Sequence, residues 1–206
     1  MTSITVVTPW FEHRELEKDY WDAMKAADAK VLIVDNGSEP PLPNGIRLDY
    51  NSGFAPACNI GLELAQTDAV LFLNNDISLE RPDWLTSIVE ALEPGVLVGA
   101  DLRWDDHGDV GGEKMPYLDG WCVAGMKEDL VDIGGWDEEY EEPSYFGDND
   151  LSLRARADGM VLREAKVGLF HKLNITAGDG LANYDVTMRN KERYMARAKD
   201  LLGVAA

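Results

Sequence analysis

Residues 70–76 read Val-Leu-Phe-Leu-Asn-Asn-Asp, an apolar run that ends in two amides and a carboxylate. Residues 31–38 have the same arrangement, with Val-Leu-Ile-Val followed by Asp-Asn-Gly-Ser. Short apolar runs that end in turn residues are typical of buried strands. Because ligands bind outside the carboxyl ends of the strands in an open α/β sheet, the two runs predict a sheet with polar side chains along one edge.

Two further stretches have the same character. Tyr-Phe-Gly-Asp-Asn-Asp occupies residues 145–150, and His171 closes the apolar run 167–170. Carboxylate, amide and imidazole groups released at one sheet edge would face a shared cleft. The four stretches together predict a metal-assisted site for an anionic substrate.

Strand and helix patterns alternate along the first half of the chain. The predicted strands lie at 3–8, 30–34, 46–49, 69–73 and 95–100. The predicted helices lie at 12–27, 56–66 and 82–92. This alternation is typical of a parallel, doubly wound sheet.

The pattern becomes irregular after residue 100. It predicts a β-hairpin region at 101–125, short helices at 128–133 and 148–157, and a terminal helix at 183–202. The apolar positions of the terminal helix are Tyr184, Met188, Tyr194 and Leu201. We expect a single domain over residues 1–206, with a helical tail from residue 173.

The chain of 206 residues carries a formal net charge of −19. Nucleic acid and anionic membranes attract basic surfaces, so both are disfavoured as partners. No apolar stretch approaches the roughly 18 residues that a membrane span requires. The first residues lack the basic region and cleavage site that are typical of a signal peptide, so we expect none. Cys58 and Cys122 lie in apolar contexts that predict buried free thiols in a reducing, cytoplasmic compartment.

Asp35 ends the second predicted strand, where a Rossmann enzyme places the carboxylate that binds ribose. The Gly-x-Gly-x-x-Gly turn of such enzymes is missing, because Thr-Pro-Trp-Phe follows the first strand at residues 8–11. A dinucleotide oxidoreductase is therefore disfavoured. Asp35 could still bind a base or ribose, or it could form an Asx-turn within Asp-Asn-Gly-Ser.

Residues 51–61, Asn-Ser-Gly-Phe-Ala-Pro-Ala-Cys-Asn-Ile-Gly, lead from a glycine turn into a helix. A helix N-terminus attracts anions through its free N–H groups and its dipole. The stretch is consistent with an anion site and equally with an ordinary helix cap.

Asp76 and His171 are candidate metal ligands. Hard oxygen ligands at a strand end suit Mg²⁺ or Mn²⁺ bound together with substrate phosphates. Mn²⁺ also accepts imidazole, so the pair favours Mn²⁺. The alternatives are a helix cap for Asp76 and a structural role for His171.

Asp148 and Asp150 lie two residues apart at a predicted helix start, so they do not share a helix face. We expect one of them to point into the cleft as a general base and the other to cap the helix or pair with Arg154. The alternative is that both are capping acids favoured by the helix dipole.

In this order the motifs resemble those of family 2 glycosyltransferases of GT-A fold, especially their rhamnosyltransferase-like bacterial and phage branch. The resemblance covers about residues 3–172 and rests on residues 34–38, 51–55 with Asn59 and Gly61, 72–76, 134–138, 145–154, Gly159 and His171. It implies an α/β fold with a Rossmann-like, mainly parallel sheet flanked by helices. The nucleotide-sugar half would be 1–100 and the acceptor half 101–172.

By this resemblance the protein would be an inverting glycosyltransferase that uses Mn²⁺ or Mg²⁺. It would move a sugar from a nucleoside-diphosphate donor, most commonly a UDP-linked sugar, to an acceptor hydroxyl. Asp148 would be the catalytic base, and Asp76 and His171 would hold the metal. The nucleotide contacts would be Thr8, Pro9, Asp35, Asn51, Gly53, Asn59 and Asn75.

Three positions depart from the family pattern. Asn74 replaces the first acid of Asp-x-Asp, Gly147 replaces the Glu of a Glu-Asp pair, and Cys58 stands where Arg often precedes Asn59. The alternative function is a catalytically silent module that binds nucleotide sugars. The acceptor is not identified by the sequence: a small molecule, a glycan and a protein all remain open, and the acidic charge disfavours a modified base.

Overall fold

The fold is built around a seven-stranded sheet. The computed structural model describes residues 2–104, 114–143, 145–172 and 184–203. The strands are β1 (Ile4–Trp10), β2 (Lys30–Asp35), β3 (Ile46–Arg47), β4 (Ala69–Leu73), β5 (Ile77–Leu79), β6 (Val96–Gly99), β7 (Leu102–Arg103), β8 (Tyr117–Leu118), β9 (Cys122–Met126), β10 (Val161–Glu164) and β11 (Leu169–His171). The helices are α1 (Glu17–Ala26), preceded by a 3-10 turn (Arg14–Leu16), α2 (Phe54–Leu64), α3 (Trp84–Ala91), α4 (Lys127–Asp132), α5 (Gly147–Ala157) and α6 (Tyr184–Leu202).

The strand order in the central sheet is β10-β6-β9-β4-β1-β2-β3. β1 pairs in parallel with β2 and β4, and β10 pairs in parallel with β6. β9 runs antiparallel to both β4 and β6 and joins these two parallel groups. The sheet is therefore mainly parallel, as predicted, and the carboxyl ends of β1, β2 and β4 meet at one edge.

The central strands are apolar on both faces because helices cover both sides of the sheet. Val6 and Leu71 pack in the layer that contains α1 and α3, whereas Val7 and Phe72 pack against α2, α4 and α5. Gly61 allows the close approach of α2 to β1, since a Cβ there would lie 2.1 Å from Cγ1 of Val7. The core thus forms a three-layer sandwich that holds the sheet edge rigidly.

The segment after residue 100 differs from the predicted hairpin region. β7 and β8 form a small antiparallel pair, but β9 is inserted into the central sheet between β4 and β6. Nearly all of β9 is buried. Periodicity identifies such an apolar run as buried, but it cannot say which strands the run will pair with.

α6 differs from its predicted apolar face. Tyr194 is buried, whereas Tyr184, Met188 and Leu201 are exposed. Tyr194 and Ala198 belong to a small hydrophobic cluster with residues of the domain, and ion pairs from Arg197 to Asp137 and Asp150 add to this attachment. Hydrophobic periodicity missed this face because inward-facing charges carry no apolar signal.

β5 and β11 form a separate two-stranded antiparallel sheet in which His171 lies opposite Ile77. The N–H of Lys172 donates to the carbonyl of Asp76 at 2.8 Å and extends this pairing. The register therefore brings His171 beside Asp76, although the two residues are 95 positions apart in the chain.

No described helix combines the length and apolar character needed to cross a bilayer. Cys58 and Cys122 are buried free thiols, as predicted.

Candidate active site

A cavity of about 510 Å³ opens at the carboxyl ends of β1, β2 and β4. This volume is within the usual range of small-molecule sites. The residues that line it come from the ends of these strands and from loops of the second half of the chain: Pro9, Trp10, Phe11, Glu12, His13, Asn36, Asn51, Phe54, Asn74, Asn75, Asp76, Asp119, Gly120, Trp121, Trp136, Glu142, Pro143, Tyr145, Asp148 and His171. The predicted shared cleft therefore exists at the predicted edge of the sheet.

The turn after β4 brings Asp76 and His171 into contact. Oδ1 of Asp76 lies 3.1 Å from Nε2 of His171, and Nδ2 of Asn74 lies 3.5 Å from the same nitrogen. Asp76 is almost fully buried. The imidazole is stacked on the indole of Trp121, with ring centroids 4.9 Å apart.

This pair fits a divalent metal that binds together with its substrate. Within the described ranges, no cluster of three or more His, Cys, Asp and Glu side chains could hold a metal. Asp76 and His171 offer one hard oxygen and one imidazole nitrogen, a donor set that Mn²⁺ accepts. The remaining coordination positions would be filled by phosphate oxygens and water, as is usual for Mg²⁺ and Mn²⁺ at phosphate sites.

None of the described residues that line the cavity is a lysine or an arginine. A diphosphate in this cavity would therefore meet carboxylates rather than cationic side chains. A bound cation would compensate this negative charge.

Asp148 lies in the first turn of α5 and lines the cavity. Its Oδ2 accepts a hydrogen bond from the N–H of Gly120 at 3.1 Å, and its Oδ1 accepts one from the N–H of Asn149 at 2.9 Å. Burial, together with the nearby charge of Asp119, raises the pKa of Asp148 to about 7. A carboxyl group with such a pKa is a suitable proton acceptor near neutral pH.

Asp119 is a cavity residue that the sequence motifs did not single out. Its Oδ2 lies 3.4 Å from the Arg103 guanidinium. Burial raises the pKa of Asp119, against the opposing effects of Arg103 and His171. The Asp-Gly-Trp turn at 119–121 connects β8 to β9. β8 has only two residues, so no apolar strand pattern before the turn marks Asp119 as a site residue.

Asn36, and not Asp35, is the residue after β2 that lines the cavity. Asp35 is fully buried and accepts hydrogen bonds from the N–H groups of Ser38 (3.0 Å) and Leu42 (2.9 Å) and from Arg47 (2.9 Å). The position of Asp35 at the end of a strand and the family resemblance both predict a nucleotide contact. Its two oxygens are instead occupied in fixing the 35–47 loop, so the structure places it outside the cavity.

The side chain of Asn36 organises the loop before α2. Its Nδ2 donates to Oδ1 of Asn51 (2.8 Å) and to the carbonyl of Gly53 (2.9 Å), and its Oδ1 accepts from the N–H of Ser52 (2.8 Å). Asn51 lines the cavity, while Gly53 adopts a φ of 99° just behind it. These contacts present Asn51 to the cleft.

The N-terminus of α2 already holds an anion from the protein itself. The N–H of Phe54 donates to Oε1 of Glu142 at 2.5 Å. A Cβ at Gly53 would lie 2.6 Å from the same oxygen. The helix start therefore carries an internal carboxylate, and both residues of this contact lie at the wall of the cavity.

Two other expected nucleotide contacts lie behind the cavity wall. The hydroxyl of Thr8 is buried and hydrogen-bonded to the hydroxyl of Tyr20 at 2.7 Å. Asn59 clamps the backbone of Trp136, accepting from its N–H at 2.9 Å and donating to its carbonyl at 2.8 Å. The structure brings Pro9, Asn51, Asn75, Asp76, Asp148 and His171 together in the cavity, whereas Thr8, Asp35, Gly53 and Asn59 support it from outside.

Solved glycosyltransferases share this fold. A mannosyltransferase from Pyrobaculum calidifontis, PcManGT in complex with GDP-Man and Mn²⁺, superposes with a TM-score of 0.61 and 18% identity, over 79% of this chain and 54% of that one. GalNAc-T7 with UDP, GalNAc and Mn²⁺ gives 0.66 and 14%, over 95% and 48%. TarS of S. aureus gives 0.57 and 14%, over 97% and 42%. The chain spans about half the length of these structures, and the likeness shows that its fold is GT-A.

Among curated proteins, none matches the chain in sequence. The family model Glycosyl transferase family 2 matches residues 6–138, which include β1, β2, β4 and the turn that carries Asp76. This match covers well over half of the chain, and the motifs, the mainly parallel sheet and the cavity at its edge agree with it. The chain therefore belongs to glycosyl transferase family 2.

Proposed function

We propose that the chain is a metal-dependent, inverting glycosyltransferase. Its donor is a nucleoside-diphosphate sugar in which the nucleoside diphosphate is UDP. The observation that carries this proposal is a single cavity lined by the Asp76–His171 pair and by the Asp148 carboxylate. The family membership supports the reaction class. The Mn²⁺ complexes of PcManGT and GalNAc-T7 with GDP-Man and with UDP and GalNAc support the donor class and the metal.

The nucleotide would occupy the end of the cavity formed by Pro9, Asn36, Asn51 and Phe54, with Asn75 near the diphosphate. Thr8, Asp35, Gly53 and Asn59 act in this proposal by holding those residues in place. The catalytic end is formed by Asp119, Gly120, Trp121, Trp136 and Asp148, all from residues 101–172. This division supports a nucleotide-sugar half at 1–100 and an acceptor half at 101–172.

Asp76 and His171 would hold the metal, Mn²⁺ in preference to Mg²⁺ because one of the two ligands is an imidazole. When bound, the ion supplies positive charge that stabilises the departing diphosphate. Asp76 and His171 then keep the diphosphate end of the donor at one side of the cavity.

Asp148 would act as general base in a single displacement. The acceptor hydroxyl oxygen forms a bond to the anomeric carbon while the bond from that carbon to the diphosphate oxygen breaks. The hydroxyl proton passes to the Asp148 carboxylate, and the nucleoside diphosphate leaves with the bonding electron pair. Attack from the side opposite the leaving group inverts the anomeric centre.

A donor panel tests this proposal. The chain is incubated with UDP-glucose, UDP-galactose, UDP-N-acetylglucosamine, dTDP-rhamnose and GDP-mannose in Mn²⁺, and release of the nucleoside diphosphate is measured with and without EDTA. Turnover that requires the metal is the expected result, and NMR of the product gives the anomeric configuration. Metal-dependent binding without turnover by any donor would instead favour a silent nucleotide-sugar-binding module, while the absence of any binding would overturn both readings.

The motifs also support the rhamnosyltransferase-like branch of the family as part of this proposal, which is why the panel includes a rhamnose donor. We propose a hydroxyl-bearing acceptor, and a screen of small molecules, glycans, proteins and modified bases tests its class.

A further inference from the structure

The side chain of Trp136 is held rigidly at the catalytic end of the cavity. Asn59 hydrogen-bonds both its backbone N–H and its carbonyl. Its ring packs edge-to-face against Phe54 and Phe72, with centroid separations of 5.0 Å and 5.7 Å. The residue is 3% exposed and still lines the cavity.

The indole N–H of Trp136 has no hydrogen-bond partner within the described part of the chain. Nδ2 of Asn75, another buried group that lines the cavity, also lacks one there. Buried polar groups are normally paired, and an unpaired one costs about 1–3 kcal/mol. Two buried donors without acceptors, on residues that line the same cavity, indicate a ligand that supplies acceptor oxygens.

The same end of the cavity carries two hydrogen-bond acceptors, the carboxylates of Asp119 and Asp148. Gly120 lies between Asp148 and the ring of Trp136, because a Cβ there would be 3.2 Å from Cβ of Asp148 and 3.3 Å from the Trp136 ring. A ligand in contact with this wall must therefore accept hydrogen bonds from the N–H groups and donate to the carboxylates. Hydroxyl groups do both.

Charge narrows the ligand further. Asp76, Asp119 and Asp148 all line the cavity, and no lysine or arginine does so among the described residues. The sequence of residues 105–113 and 173–183 contains neither lysine nor arginine. Arg103 is engaged by Asp119 at 3.4 Å and does not line the cavity, so a carboxylate on the sugar would find no lysine or arginine among the described wall residues with which to pair.

We infer that Trp136 and Asp119, with Asn75 at the boundary to the diphosphate, form the subsite for the transferred sugar, and that this subsite accepts an uncharged, polyhydroxylated sugar and rejects a uronic acid. The inference rests on the proposed function. Within it, the indole N–H of Trp136 and the carboxylate of Asp119 determine specificity, one by donating to a sugar hydroxyl and the other by excluding negative charge.

The experiment is calorimetry in Mn²⁺ with four probes on each variant. UDP and GDP are titrated first to choose the nucleotide. The pair UDP-glucose and UDP-glucuronate, or GDP-mannose and GDP-mannuronate, is then compared with the chosen diphosphate. Dividing each sugar-nucleotide affinity by that of the diphosphate in the same variant removes effects on the metal and on the nucleotide end. In the unaltered chain the uronate should bind at least about tenfold more weakly than the neutral sugar.

Trp136→Phe keeps an aromatic ring and removes the N–H. We expect the normalised affinity for the neutral sugar to fall roughly three- to tenfold, the size of one hydrogen bond. The smaller ring also removes packing in the core, so thermal stability should fall as well, and the normalisation to the diphosphate separates the two effects. Trp84→Phe is the matched control: the Trp84 indole donates to the carbonyl of Ala23 at 2.9 Å, outside the cavity. That variant should lose stability and keep its normalised sugar affinity.

Asp119→Asn keeps the size of the side chain and removes its charge. We expect the ratio of the normalised affinities for the neutral sugar and for the uronate to fall about tenfold. Equal normalised affinities for both sugars in the unaltered chain would overturn the subsite while leaving the proposed function intact. An unchanged gap in Asp119→Asn, or unchanged sugar affinity in Trp136→Phe, would remove that residue's assigned role. If neither diphosphate binds in Mn²⁺, the proposed function fails and the subsite fails with it.

Discussion

Asp148 and Asp150, two positions apart in the first turn of α5, face opposite sides of the helix. Asp148 lines the cavity and is hydrogen-bonded only by backbone N–H groups of Gly120 and Asn149 among the described residues. Asp150 is fully buried between Arg154, at 2.7 Å, and Arg197, at 2.9 Å. One carboxylate is therefore available to a ligand, and the other is part of the scaffold.

Asp148→Asn should abolish most of the transfer activity. The substitution keeps the size of the side chain but removes the proton acceptor, and general base catalysis contributes about 10²–10⁴-fold. We expect the turnover rate to fall at least about 100-fold. Calorimetric donor affinity should stay within a few-fold, because the base faces the acceptor. A loss of donor binding in parallel with turnover would contradict the assignment of Asp148 as base.

Asp148→Asn should also change how stability depends on pH. The pKa of Asp148 is raised to about 7, so the folded state binds a proton more tightly than the unfolded state does. The unaltered chain must therefore lose stability as the pH rises from the unfolded pKa near 4 towards 7, and the variant lacks this loss.

Urea unfolding in EDTA at pH 5.5 and pH 8 measures this effect. Between these values the variant should gain roughly 1–2 kcal/mol relative to the unaltered chain. Parallel behaviour of the two proteins across this range would show that the Asp148 pKa is not raised in solution.

Asp150→Asn should lower the free energy of unfolding strongly and the turnover rate only weakly. It removes the partner of two arginines, and it also alters the contact that Asp150 Oδ1 makes with the Tyr140 hydroxyl at 3.1 Å. Breaking a buried ion pair from one side costs about 3–5 kcal/mol. Chemical denaturation measures this cost, with Asp200→Asn on the exposed side of α6 as a control that should change stability by less than about 0.5 kcal/mol. A stable Asp150→Asn protein that has lost turnover would move the catalytic base to Asp150.

Asp76→Asn should remove metal-dependent binding of the nucleoside diphosphate. The variant loses the carboxylate of the Asp76–His171 pair and leaves one imidazole and neutral amides. Calorimetry with UDP and Mn²⁺, with and without EDTA, measures the metal-dependent affinity for UDP. Asp83→Asn, in an exposed ion pair with Arg81 at the start of α3, is the matched control and should leave binding unchanged. Equal UDP affinity of the unaltered chain in EDTA and in Mn²⁺ would refute the metal assignment.

Asp35→Asn should lower the free energy of unfolding, and the loss should be largest at pH values above the unfolded-state pKa of about 4. Although burial acts to raise the pKa of Asp35, the hydrogen bonds from Leu42, Ser38 and Arg47 lower it below its usual value. Its contribution to stability is therefore present above the unfolded pKa near 4 and is lost as the pH falls through the lower folded value. The variant should be less stable by roughly 2–4 kcal/mol at pH 7, as measured by urea unfolding. Its free energy of unfolding should also fall less steeply than that of the unaltered chain as the pH is lowered into the acid range. Normal stability with reduced nucleotide affinity would restore Asp35 as a ligand contact.

The fold class and the edge that carries the site follow from local sequence. Apolar runs such as 69–73, with helical patterns between them, are enough to predict a mainly parallel sheet, because burial on both faces requires apolar residues at successive positions. Polar residues directly after such a run, as in Asn75 and Asp76, must lie at the strand's carboxyl end. The family motifs add which of these residues belong to one cleft.

Tertiary structure alone decided the contacts between distant parts of the chain. The antiparallel register of β5 and β11 places His171 beside Asp76, and the turn between β8 and β9 brings Asp119 into the same cavity. Local sequence also does not determine which way a side chain points. Asn36 lines the cavity and Asp35 does not, and Asp148 lines it and Asp150 does not. Local sequence states which groups a segment carries, whereas the packing of the segments against one another determines which of those groups meet a ligand and which meet an arginine.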